Sequence, residues 1–159
     1  MPPQITTPEM EIALANHFGF RKNLIVPNVK WGLRLNGKPM HECDLLILTK
    51  SRYLWEVEIK VSKADLIADK KKAHGHTNSN VKRLYFALPH YIEDYIEHIP
   101  DRAGIILVNK PRTRLSCKVV RPAKNEKGYQ LSDKEVLKMA MLGAMRIWNL
   151  KQKLKDRIT

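Results

Sequence analysis

The stretch HECDLLILTKSRYLWEVEIK, residues 41–60, limits what this chain can fold into more than any other. Residues 41–49 and 53–61 are rich in strand formers, and Lys50-Ser51-Arg52 is the only polar break between them. Two antiparallel strands joined by a short turn are therefore expected. Strict alternation in the second strand sends Trp55, Val57, Ile59 and Val61 to one face and Glu56, Glu58 and Lys60 to the other. With the turn centred on Ser51, residues whose numbers add to 102 lie opposite each other. Asp44 then faces Glu58, and Glu42 faces Lys60, with Cβ atoms about 4.5–5.5 Å apart. Two facing carboxylates repel, so the pair calls for a proton or a compensating cation. The lysine on the same face supplies one, and a divalent metal between the acids would supply another.

At 159 residues the chain suits one domain with a real core, and its 43% hydrophobic content is ordinary for a globular protein. No apolar run approaches roughly 18 residues, so no membrane span is expected, and MPPQITTPEM lacks the regions of a signal peptide. Cys43 and Cys117 form no CxxC pair and read as free thiols in a reducing cytoplasm. The net charge of +13 is unevenly spread. Residues 1–101 carry 14 basic and 12 acidic side chains, whereas residues 102–159 carry 15 and 4. A basic C-terminal extension thus begins at about residue 110. A basic surface around a small acidic centre suits a polyanionic substrate.

Thr7-Pro8-Glu9 opens a first helix, with Thr7 as cap, running to about 17–18 and stopping at Gly19. Glu11 shares a stripe with Leu14, Ala15 and Phe18, placing it at the edge of the buried face or in a polar site. A strand interrupted by Pro27 spans 24–35, followed by an Asn36-Gly37 turn and the central hairpin as a three-stranded meander. Ser62-x-x-Asp65 opens a second helix ending near Gly75, before the polar loop HGHTNSN. Residues 81–88 form a strand, 91–98 a short helix, and 103–109 an apolar strand buried on both faces. Residues 114–121 read as a basic edge strand. Ser132-x-x-Glu135 caps a long last helix. Its apolar band is Val136, Leu137, Ala140, Met141, Ala144, Met145 and Trp148, expected to be core or the seam of a homodimer. The fold class is α/β, a mixed sheet flanked by helices.

An acid on one strand, E-x-K on the next and an acid on the preceding helix, here Asp44, Glu58-Ile59-Lys60 and Glu11, resemble the PD-(D/E)xK nuclease superfamily. The αβββαβ order also matches the restriction-endonuclease-like core of that superfamily. EIKVSKADLIADKKKA followed by RLYFALP resembles the MmcB-like family of DNA-repair nucleases, whose E-x-K strand runs into a helix with two spaced aspartates and a lysine, here Asp65, Asp69 and Lys70. Cys43 stands where the superfamily pattern has proline. The resemblance implies a Mg²⁺- or Mn²⁺-dependent nuclease acting on DNA, with a role in repair. The metal would be held by Asp44, Glu58 and the Ile59 carbonyl, since hard cations prefer oxygen ligands. It would polarise the scissile phosphate, with Lys60 orienting water or neutralising developing charge.

Glu11 joins Asp44, Glu58 and Lys60 as a catalytic candidate, with Glu56, Asp69 and Lys70 as accessory groups. Lys63, Lys71, Lys72, Arg112 and Arg114 are candidate phosphate contacts, and Lys118, Arg121 and Lys124 extend that basic strand. Ordinary solvated helix chemistry also accounts for Asp65, Asp69 and the lysine run. His74 and His76 lack a third ligand at metal spacing. A non-catalytic nucleic-acid-binding module on the same fold is the alternative, as is a nuclease acting on RNA or branched DNA.

Overall fold

The computed structural model describes residues 3–29, 32–70 and 78–159. In chain order the elements are α1 (Thr7–Phe18), β1 (Leu24–Val29), β2 (Arg34–Leu35), β3 (Lys38–Pro39), β4 (Cys43–Leu48) and β5 (Leu54–Ile59). They continue with α2 (Lys63–Lys70), β6 (Val81–Pro89), a 3₁₀ segment (His90–His98), β7 (Gly104–Asn109), β8 (Ser116–Arg121) and α3 (Asp133–Ile158). Six strands form one mixed sheet in the order β1-β4-β5-β6-β7-β8. This is the mixed, helix-flanked α/β architecture expected from the sequence, and it is consistent with a restriction-endonuclease-like core.

The central hairpin has the expected register. Leu45 pairs with Val57, Leu46 with Glu56, Ile47 with Trp55 and Leu48 with Leu54. β1 joins it antiparallel, but the strand does not continue to residue 35. Instead Asn36 and Gly37, both at positive φ, turn a separate two-stranded ribbon of β2 and β3. β5, β6 and β7 are mutually parallel, with α2 and the 3₁₀ segment in the crossovers. The carboxyl ends of these three strands therefore share one end of the sheet, where β4 begins and β1 finishes. Ligands of open α/β sheets bind outside such ends.

α1 is capped by Thr6, not Thr7. Glu9 lies three residues after Thr6, so the two close a reciprocal capping box that Thr7 has no glutamate to complete. The helix buries Met10, Ala13 and Leu14 against Leu45, Ile47, Val57 and Ile106. Each of the two larger side chains contributes roughly 1.5–3 kcal/mol. The other sheet face carries two apolar clusters. One packs Val26, Leu46, Leu48 and Leu54 under Met139 and Leu142 of α3, and the other packs Leu84, Phe86, Ile105 and Leu107 with Leu66 of α2. β7 is buried on both faces, because Ile106 and Val108 belong to the α1 side.

The face of α3 differs from expectation. Met139 and Leu142 are its buried residues, and Gly143 approaches the Val26 side chain closely enough that a Cβ there would lie at 3.4 Å. Leu137, Met141, Met145 and Trp148 are exposed, the last at 69%. Apolar residues occupy most of this helix's circumference, so periodicity had no narrow stripe to select. Both cysteines are free thiols, and among the described residues no helix is long and apolar enough to cross a membrane.

Candidate active site

Alternation along β5 places Glu56 and Glu58 on the face that carries Leu46 and Leu54, between the two apolar clusters there. Glu58, Lys60 and Asp69 are 4%, 6% and 5% exposed, so all three charges are buried. The Lys60 Nζ lies 3.1 Å from Glu58 Oε2 and 2.8 Å from Asp69 Oδ1. Burial opposes the Lys60 charge, but the close contact with the Asp69 carboxylate and the charge of Glu58 outweigh it and hold the ammonium above its ordinary pKa. Lys60 does not meet Glu42, which is exposed and precedes β4. Pairing of β4 with β5 ends at Leu45, so the expected Glu42–Lys60 pair never forms. Asp69 is likewise no solvated helix residue, because it is buried against Lys60, the residue that follows β5.

Asp44 lies one residue beyond the last β4–β5 pair. Its Oδ2 accepts a hydrogen bond from the Ile59 N–H at 2.8 Å. In an extended residue the N–H and C=O address the same neighbouring strand, so the Ile59 carbonyl faces the gap that Asp44 borders. Between the pairs Pro27–Leu45 and Val29–Cys43, Asn28 occupies the register position opposite Asp44. It adopts φ +53°, a left-handed conformation that asparagine tolerates better than most residues. Its side-chain amide donates to Glu11 Oε1 at 3.2 Å. Partial burial raises the Glu11 pKa and the charge of Asp44 adds to the rise, against the Asn28 hydrogen bond. Glu11 is thus directed toward the polar site from the edge of α1.

Glu56, 1% exposed, is held by His41. The His41 Nε2 lies 2.7 Å from Glu56 Oε1, and Asn78 Nδ2 is 3.0 Å from the other ring nitrogen. The bond to Glu56 raises the His41 pKa over the opposing effect of burial. Sequence reasoning passed over His41, Asn28 and Asn78. The available signal was Glu56 itself: an acid in the inward row of a central strand requires a partner, and its register partner is Leu46.

The remaining candidates are dispersed. The Lys63 ammonium sits 4.4 Å from the Tyr95 ring centroid. Arg112 and Arg114 are exposed in the segment joining β7 to β8, at the same sheet end as Asp44 and Glu58. They precede β8 and do not lie on it. Arg121 is not offered to a ligand, because its guanidinium donates to the carbonyls of Ala103 and Pro100 at 2.8 and 2.7 Å. Lys118 is exposed on β8. Lys70 is the last residue of α2, and Lys71, Lys72, His74 and His76 lie outside the described residues.

Among the described residues, no group of three or more His, Cys, Asp and Glu side chains is arranged to hold a metal ion. The expected donors are two carboxylates and one backbone carbonyl, an all-oxygen set that suits a hard cation retaining several waters. Cys43 adjoins Asp44, but burial, with the charges of Glu56, Glu58 and Asp44, pushes its thiol pKa far up. The donor chemistry therefore fits Mg²⁺ or Mn²⁺.

A family model described as DNA repair protein MmcB-like matches residues 36–154. Among solved structures, a protein of unknown function from Silicibacter pomeroyi is similar at a TM-score of 0.61 and 19% identity, over 98% of this chain and 95% of that one. At that identity the likeness shows the fold alone. No curated protein matches the chain.

Proposed function

Because the chain belongs to the MmcB-like family of DNA repair proteins, we propose that it hydrolyses DNA phosphodiester bonds as a metal-dependent nuclease of the PD-(D/E)xK type. One observation carries this reading. Asp44 and the Glu58-Ile59-Lys60 run meet at the carboxyl ends of parallel strands, with the lysine ammonium fixed beside Glu58. Asp44, Glu58 and the Ile59 carbonyl would hold Mg²⁺ or Mn²⁺, which when bound supplies Lewis-acid polarisation of phosphate and a water of lowered pKa. Lys60 keeps a full positive charge beside the site and offsets negative charge developing on phosphate oxygens. Asp69 positions that ammonium through the 2.8 Å contact. Glu11 borders Asp44 as a further acid, with Glu56 and Lys70 as accessory groups. Lys63, Lys71, Lys72, Arg112 and Arg114 supply phosphate contacts.

The test is incubation with labelled single-stranded, duplex and branched DNA, and with RNA, in Mg²⁺, Mn²⁺ or EDTA. Cleavage should vanish in EDTA and in both Asp44→Ala and Lys60→Ala. A second reading, a DNA-binding module without catalysis, is favoured by the engagement of Lys60 with two carboxylates, which resembles a structural ion pair. Binding with no cleavage in either metal, unaffected by Asp44→Ala, would establish that module in place of the enzyme.

A further inference from the structure

α3 outruns the body of the protein. Gly143 lies against Val26 and Arg146 donates to the Asn28 carbonyl at 2.6 Å, so helix and β1 advance together toward the site end of the sheet. From residue 147 to residue 159 every side chain is exposed. The helix therefore reaches the level of Asp44 at Arg146 and continues to Ile158, about 18 Å further at 1.5 Å per residue. Three turns of the helix thus stand exposed to solvent. These turns are suited to a partner, and their charge indicates its chemistry. Lys151, Lys153, Lys155 and Arg157 stand against Asp156 alone.

A second basic group lies across the site. Arg112 and Arg114 follow β7, which is separated from β1 by four strand spacings, about 19 Å. The acidic centre of β4 and β5 thus has a basic flank on each side. A second copy of the chain is the competing occupant, through Ile147, Leu150, Leu154 and Ile158. Pairing along that stripe would press two like-charged helices together, whereas a polyanion is attracted to each.

Resting on the nuclease reading, we infer that residues 147–159 form an arm that grips the DNA phosphate backbone beside the scissile bond. The substrate then extends about five base pairs past the cleft, at roughly 3.4 Å each.

The experiment is equilibrium binding of the full chain to a 24-base-pair duplex in EDTA across a salt series, for wild type and for the variant Lys151→Gln, Lys153→Gln, Lys155→Gln, Arg157→Gln. The slope of log K against log salt should flatten by about 3 to 4, near 0.9 for each phosphate that the variant no longer neutralises. A DNA-binding wild type whose slope the variant shares overturns the arm but leaves the nuclease reading standing. No DNA binding by wild type overturns both. An unchanged slope, with a two-chain mass that Leu150→Asp and Leu154→Asp reduce to one, assigns the helix to a second copy instead.

Discussion

Lys60→Met removes one charge from the centre of the site while keeping a long unbranched side chain. Glu58 and Asp69, each with 5% side-chain exposure, then face each other without their shared cation. At an effective dielectric near 20, each contact of about 3 Å corresponds to roughly 5 to 6 kcal/mol of Coulomb energy before desolvation. Removing one partner of a buried pair costs about 3–5 kcal/mol net. That is a large part of a typical total of about 5–15 kcal/mol. With a urea slope near 2 kcal/mol/M, the midpoint at pH 7 should fall by about 2 M, read from tryptophan fluorescence. The sign of the pH dependence follows from two buried acids that lose this cation. Burial disfavours their charged forms once the ammonium is gone, so the variant's folded state should take up protons more readily and regain stability as pH falls. The deficit should shrink between pH 7 and pH 5, and adding Asp69→Asn should restore much of it at pH 7. A deficit below about 1 kcal/mol at pH 7, or one unchanged at pH 5, would refute the buried triad. In wild type the raised Lys60 pKa acts oppositely: its contribution is complete below about pH 10.4 and lost as pH rises through the folded value.

Two further outcomes follow from neighbouring contacts. His41 should titrate above about 6.5 by NMR, because Glu56 favours the imidazolium, and Glu56→Gln should lower that value. Its stabilising contribution is full below the unfolded pKa and disappears as pH rises through the folded one; a wild-type value at or below 6.5 contradicts the assignment. Gly104→Ala should lower the melting temperature at a cost of about 1–3 kcal/mol, since the new Cβ would lie 2.6 Å from the Tyr85 ring and 2.7 Å from the Ala123 nitrogen. The ring can rotate but the backbone cannot, so an unchanged melting temperature would mean that the β8 end of the sheet is looser than this packing requires.

The parts of the site that were legible in the sequence are those fixed by local periodicity. Lys50-Ser51-Arg52 allows one turn, and the turn sets the register that ends at Leu45–Val57, one residue short of Asp44, whose carboxylate accepts from the Ile59 N–H. Glu42 failed the same rule because arithmetic extends a ladder past the point where the backbone leaves it. Beyond Glu58, the contacts that fix Lys60 and Glu56 come from outside β4 and β5, from Asp69 of α2 and from His41. Asp69 looked solvated because i,i+4 spacing describes only a helix's own surface. Arg121 looked available for phosphate, but loop carbonyls of Pro100 and Ala103 occupy it across a separation that no strand pattern encodes.

The two outer strands have a consequence for how copies of this protein meet. A sheet edge with open N–H and C=O groups is a template for another chain. β1 carries Pro27, which lacks an N–H, followed by Asn28 in a left-handed conformation that breaks the extended line. β8 carries Lys118 and Arg121 and shifts register between its pairs with Ile105 and Ile106. Both borders thus carry the residues that discourage strand addition, at one side by a missing donor and a kink and at the other by charge and a bulge. A Pro27→Val variant, which restores the missing donor, should favour edge-to-edge aggregation, read as increased light scattering over wild type.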